Sequence, residues 1–232
     1  MLMKGLHSKQ ECLDYLWQYS RFYAECLWQG EMLYREERGF SSLTVLFNCL
    51  ENISRAVTND YNSNSKTVYK KLYTMNLITE KEHNFLNEGK FSIREIRNLY
   101  AHANVMAINF LFEKDVKELM WPITEDLTSR RVYEEISDIL FNLIIKIVSS
   151  KFIEDVKRKF EGPLDDYILK CRLDYKVLTI EELLVLKGYP ENYIPDDLDI
   201  SEEEKYRIVD QASDVNMYKF ILSQLFHDGK DE

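Results

Sequence analysis

The sequence predicts an all-α protein: an up-and-down helical bundle followed by a small, acidic, mainly helical C-terminal extension. Three observations carry this. Only seven glycines and four prolines occur in 232 residues, and a chain so poor in turn formers favours helices. No proline precedes Pro122. Apolar residues recur at spacings of three and four, and no strand-like alternation interrupts that period before residue 121.

From Glu11 to about Arg35, Leu13, Leu16, Trp17, Phe22, Tyr23, Leu27 and Leu33 give a mixed but helical spacing. Gly39 with Ser41 and Ser42 marks the next start. Leu43, Leu46, Phe47, Leu50, Ile53 and Val57 then form one stripe, ended by the loop chemistry of "NDYNSNS". "TVYKKLYTMNLITEKEHNFLNE" reads as two short helices, the second opened by a Thr79–Glu82 capping box. After Gly89 comes "FSIREIRNLYAHANVMAINFLF". A long amphipathic helix is expected after Trp121-Pro122, through "SKFIEDVKRKF", with Val132, Ile136, Ile139, Leu140, Leu143, Ile147 and Val148 on its stripe. About five helices in residues 1–160 make the bundle.

Gly162-Pro163 is the expected boundary, giving a bundle over 1–162 and an extension over 163–232. Beyond it the pattern predicts a helix ending at Gly188, an acidic loop between prolines, and further helix capped by Ser201 with Glu204. The net charge of −10 is unevenly spread. Residues 1–162 hold 22 Lys/Arg against 23 Asp/Glu, whereas 163–232 hold 8 against 17. The charge argument against a nucleic-acid partner therefore applies to the extension alone.

"MLMKGLHSKQ" lacks an apolar run behind its lysine, so no leader is expected. The most apolar window, "ILFNLIIKIVSS", is too short for a membrane span and contains Asn142 and Lys146. Cys12, Cys26, Cys49 and Cys171 form no C-x-x-C pair and sit in apolar helical surroundings. Reduced core thiols of a cytoplasmic protein are expected, without metal or disulfide. No Gly-rich phosphate loop occurs, histidines lack metal-ligand spacing, and "PDDLDISEEE" lacks the glycine and ligand order of an EF-hand. His83, flanked by charges, is expected on an exposed helix.

The stretch "REIRNLYAHANV" carries the chemistry. On a helix Arg94, Asn98 and His102 form one i, i+4 row, with Arg97 at its edge. Ile93, Ile96, Leu99 and Tyr100 lie around the other side and carry packing. Such a ridge suits a phosphodiester: a neutral imidazole takes or gives a proton, and a guanidinium holds phosphate and developing charge. From spacing alone, a solvated arginine and a capping or core histidine is the simpler reading.

"REIRNLYAH" resembles the Arg-x4-His signature of HEPN domains, with Asn directly after the Arg. The likeness extends through "KKLYTMNLITEKEHNFLNEGKFSIREIRNLYAHAN" and an upstream Leu50-Glu51 pair, over about residues 10–155. The resemblance implies a dimerising helical bundle that cuts RNA without metal or cofactor, leaving 2′,3′-cyclic phosphate and 5′-hydroxyl ends. Arg97 and His102 match the catalytic pair and Asn98 the polar residue after the arginine. Glu51 would orient Arg97 or His102, or stand as a solvated helix residue. The implied context is phage defence or a toxin, with RNA, a second copy and an antitoxin or defence-system protein as partners. Asn104 replaces the tyrosine of the nucleotidylyl-modified subgroup. Non-catalytic HEPN modules, which bind RNA or protein, are the alternative.

Lys66, Lys70, Lys71, Lys90 and Arg94, interleaved with Tyr61, Tyr69 and Tyr73, suggest either an RNA-facing patch or a solvated face over core tyrosines. "LTIEELLVLKGYPENY" and "YRIVDQASDVNMYKFI" resemble, in degenerate form, the end of cytosine-C5 DNA methyltransferases. The Pro-Cys motif and cofactor loop of those enzymes are absent, so methyl transfer is not implied. An acidic helical appendage is the simpler reading.

Overall fold

The structure is a computed structural model that describes residues 6–88, 91–101, 108–111, 120–171, 173–194, 199–213 and 215–216. Residues 99–101, 109–111 and 120–122 are described by their backbone. The chain is mainly helical and forms two compact units, Met1–Ala101 with Ile123–Asp174, and His102–Pro122 with Tyr175–Glu232.

The first unit is the helical bundle. It holds α1 (Lys9–Tyr19), α2 (Arg21–Arg35), α3 (Gly39–Thr58), α4 (Ser65–Thr74), α5 (Glu80–Asn87), α6 (Ile93–Ala101), α7 (Asp126–Ser149), α8 (Glu154–Phe160) and the short α9 (Asp165–Ile168). The helical stretch expected from Glu11 to about Arg35 holds two helices. Ser20 ends α1 by donating its N–H to the Leu16 carbonyl and starts α2 by accepting from Tyr23 N. One residue thus serves two orphaned helix ends. The long helix expected after Pro122 also divides, with α7 ending at Ser149 and α8 starting at Glu154.

α7 is the central helix. Residues from Ile139 to Ser149 are buried on every face, so its second half is not amphipathic. An all-round apolar helix is stable only when neighbours enclose it. α3 supplies much of that enclosure through Leu43, Leu46, Phe47, Leu50, Ile53 and Val57, all buried. Each such side chain stabilises by about 1.5–3 kcal/mol relative to exposure. The two helices meet at Gly39, where a Cβ would collide with the Asp126 carbonyl and the Arg130 backbone. Asp126 Oδ1 accepts from Phe40 N at 2.9 Å, joining the two helix starts.

A fully buried carboxylate ties three segments together. Glu82 Oε2 accepts from Thr79 N (2.8 Å), closing the expected capping box of α5. Its Oε1 accepts from Leu164 N (2.9 Å), and both oxygens accept from Lys146 Nζ (2.8 and 2.9 Å) on α7. Asp165 Oδ1 accepts from Thr79 Oγ1 at 2.8 Å in the same place. Residues 163–174 therefore belong with the bundle, not with the acidic extension. His83 is also buried, with Tyr73 stacked on its ring at 5.2 Å. The charges flanking it in sequence do not mark an exposed face, because Glu82 turns inward too.

The second unit contains a small antiparallel sheet, order β2-β1-β3, from β1 (Ile108–Leu111), β2 (Met120–Pro122) and β3 (Tyr175–Val177). Phe110 pairs with both Trp121 and Tyr175. The sequence predicts no strands before residue 121; these are too short to display a period of two. α10 (Ile180–Lys187) and α11 (Glu202–Gln211) each begin with a capping box, Thr179–Glu182 and Ser201–Glu204. α10 stops at Gly188, whose φ of 90° suits glycine. Lys187 Nζ donates to the carbonyls of Val209 (2.5 Å), Asp210 (3.2 Å) and Ala212 (3.0 Å), capping the end of α11. Leu178, Leu183, Leu184, Ile194, Tyr206 and Val209 form the core of this unit. Because β3 pairs with β1, a cut at 162/163 would take a strand from the sheet and Leu164 from the bundle.

Among the described residues, no helix is long and apolar enough to cross a membrane. The four cysteines are free, and Cys12 and Cys49 are buried. Burial pushes the thiols of Cys12, Cys49 and Cys171 up to about 12, which keeps them protonated and inert.

The Glu82 knot generates a stability prediction. Lys146→Met leaves the carboxylate buried without its cation and should cost about 3–5 kcal/mol, read as a lower urea midpoint. Adding Glu82→Gln removes the orphaned charge and should recover part of that loss. A midpoint unchanged in Lys146→Met would show the pair to be unimportant.

Candidate functional site

The candidate site is built on α3, α4 and α6. Ser92 opens α6, its Oγ accepting from Glu95 N at 3.3 Å and its carbonyl from Ile96 N at 3.1 Å. Ile93 and Ile96 are buried, as the spacing predicts for these two; the side chains of Leu99 and Tyr100 lie outside the described residues. Arg97 and Asn98 are left half-buried on the other side.

Arg97 does not stand alone. Its Nη2 forms an ion pair with Glu51 Oε2, off the hydrogen-bond axis. Its Nη1 donates to Asn98 Oδ1 at 3.3 Å. Glu51 comes from α3, where its side chain is 9% exposed. Its Oε1 accepts from Arg55 Nη2 (2.6 Å) and Nε (3.2 Å), one turn along the helix. Glu51 is thus a buried carboxylate between two guanidiniums, and the alternative of a solvated helix residue does not hold. Tyr69, buried on α4, lies in the same field. Burial first, then the Glu51 charge, raises its phenol above the usual range, against the opposing pull of Arg97, Arg55 and Arg94.

Arg94 takes a different part from the one its spacing suggests. It turns back to the end of α5, donating from Nε to Asn87 Oδ1 (3.0 Å) and from Nη2 to Asn87 O (3.1 Å). Asn87 in turn contacts His83 Nε2 (3.1 Å) and donates to Lys66 O (3.2 Å). Arg94 therefore closes the α5–α6 junction and does not pair with Asn98. His102 and Lys90 lie outside the described residues, and Tyr100 is described by its backbone in α6.

The basic stretch divides. Lys66 and Lys70 are exposed on α4, while Lys71 is committed to Asp60. Tyr69 is buried and unavailable for stacking on a base, whereas Tyr61 is exposed. Arg55 and Asp60 organise the loop between α3 and α4. Arg55 Nη1 donates to the Ser63 carbonyl at 2.5 Å, and Asp60 Oδ1 accepts from Ser63 N at 3.1 Å.

Arg55 and Asn87 had no place in the expected site. Arg55 was legible as an i, i+4 partner of Glu51. Asn87, in another helix from Arg94, carried no sequence signal. Chemically, the arrangement supplies two guanidiniums around one carboxylate, a local excess of positive charge suited to an anion. Among the described residues, no group of three His, Cys, Asp or Glu side chains stands together as a metal site.

The Asp60 contacts give a pH prediction. Hydrogen bonds from Lys71 and then Ser63 hold its carboxyl well below the usual carboxylate range. A folded pKa below the unfolded value of about 3.9 gives stability that is present above about pH 5 and is lost as pH falls through the acid range. Asp60→Asn should lower the urea midpoint at pH 7, and the gap to the parent should close on acidification. A gap constant from pH 7 to pH 3 would contradict this assignment.

No family model, no curated protein and no solved structure matches the chain.

Proposed function

We propose that the chain is a HEPN-type, metal-independent endoribonuclease that works as a homodimer in a defence or toxin setting. The observation that carries this reading is the anchoring of Arg97 by the buried Glu51, beside Asn98 and five residues before His102 in sequence. A guanidinium held from behind loses less freedom when it binds a phosphate, which is what preorganised charge stabilisation requires.

In the proposed reaction the ribose 2′-oxygen attacks phosphorus and the bond to the 5′-oxygen breaks. The 2′-hydroxyl proton passes to a base, and the leaving 5′-oxygen receives a proton from an acid. His102 is assigned to proton transfer, Arg97 to the phosphate, and Asn98 and Glu51 to the position of Arg97. One motif supplies one histidine; two motifs across a two-fold axis supply the separate acid and base. Lys66 and Lys70 extend the positive surface for the RNA backbone, and an antitoxin or other defence protein is the proposed regulator.

The second reading, a non-catalytic module that binds RNA or protein, is favoured by one feature. Glu51 already pairs with Arg97 and Arg55, and a guanidinium closed by a carboxylate also serves stability alone.

Cleavage separates the two. Purified protein should cut single-stranded or loop RNA in EDTA, and a 2′-deoxy substitution at the cut should block it. His102→Ala should lower the rate by about 10²–10⁴-fold, and Arg97→Ala by a comparable factor, with the thermal midpoint of His102→Ala close to the parent. Full cutting by both variants, or arrest by EDTA, would refute the chemistry. The catalytic reading also expects a dimer by light scattering at micromolar concentration; a monomer that still cuts would refute the shared cleft.

A further inference from the structure

A groove of about 520 Å³ between α1 and α2 is separate from the Arg97 site. Its walls alternate acid and indole: Asp14 and Trp17 from α1, Glu25 and Trp28 from α2, with the buried Leu13 and Ala24 as floor. On each helix the carboxylate and the indole are three residues apart, hence on one face. The Lys9–Glu31 ion pair, at 2.6 Å, joins the start of α1 to the far part of α2 and fixes the helices antiparallel. Both indoles are 47% exposed, and the neighbouring Phe22 is 69% exposed.

The chemistry of this groove is one-sided. No basic residue lines it. Asp14 accepts from Gln10 Nε2 at 2.8 Å, a neutral donor. Glu25 has no ion pair or hydrogen bond from its side chain among the described residues. Arg21, outside the lining, makes an intramolecular cation–π contact with Trp17, its guanidinium 5.6 Å from the ring centroid. Indole faces attract ammonium and guanidinium groups through the ring quadrupole, and two carboxylates add a favourable field. The same field repels phosphate, which sets this face apart from an RNA surface.

We infer that the groove docks a protein partner that inserts a lysine or arginine side chain between Trp17 and Trp28, its charge directed to Asp14 and Glu25. The volume falls within the range of built ligand sites. The open, helix-walled shape admits a side chain presented from another surface, its aliphatic stem lying over Leu13 and Ala24 and its head at the rim.

The test uses the full chain with 5-fluorotryptophan at Trp17, Trp28 and Trp121, each fluorine resonance assigned by single Trp→Phe variants. The probe is a capped hexapeptide, Leu-Lys-Ala-Leu-Arg-Ala. Its control carries acetyl-lysine and citrulline in place of the two bases. The basic peptide should shift the Trp17 and Trp28 resonances saturably. The neutral control should bind about five- to tenfold more weakly, as should the basic peptide to the Asp14→Asn, Glu25→Gln double variant. Both positions are exposed, and circular dichroism checks that this variant folds. Equal binding of the two peptides, no saturable shift at millimolar peptide, or a stronger response to a single-stranded oligonucleotide would each overturn the inference. So would peptide-free, concentration-dependent shifts at both indoles with dimerisation lost in Trp17→Ala, which would make a second copy the occupant.

Discussion

The bundle depends on one buried charge pair, Glu82 with Lys146. An isolated carboxylate in that position would be prohibitively costly, and so would the ammonium. Together with the Thr79 and Leu164 N–H groups they satisfy one another. This explains why the start of α5, the second half of α7 and the turn after Gly162 converge at one point. Apolar packing alone would allow α5 to slide along α7; a carboxylate with four bonds to three segments does not.

The position of α5 then sets the candidate site. Arg94 grips the end of α5 through Asn87, which fixes where α6 leaves the junction. α6 in turn delivers Arg97 to Glu51 on α3. α6 thus carries two separate polar clusters, Arg94 with Asn87 at its junction with α5, and Arg97 with Glu51 and Asn98 at the half-buried edge.

Much of this was legible in the sequence because its cause is local. The Thr79–Glu82 and Ser201–Glu204 capping boxes are written within four residues and are present. The same pattern at Ser8–Glu11 and Thr179–Glu182 was equally readable. What could not be read depends on distant partners. Ser20 lies inside a periodic apolar run, and its double capping role needs α1 and α2 to fold back on each other. β1 and β3 lie more than sixty residues apart and hold four and three residues, too few for a pattern. Glu82 and His83 sit among charges in sequence, and only α7 and α4 show that both face inward. At the site, the burial of Ile93 and Ile96 follows from helical period, whereas the turn of Arg94 depends on Asn87, a partner in another helix.

The interleaving of the two compact units bears on how the chain is made. The chain leaves the bundle after Ala101, returns at Ile123, and leaves again after Asp174. During synthesis from the N-terminus, α1 to α6 emerge without the helix that fills their centre. They must wait, apolar faces unsatisfied, until α7 has been added. β1 and β2 emerge as a pair before the bundle is complete, yet their third strand comes only after it. Neither unit can finish before the other has begun, so nascent chains expose unfinished surfaces of both at once, a condition that favours chaperone capture over early independent folding.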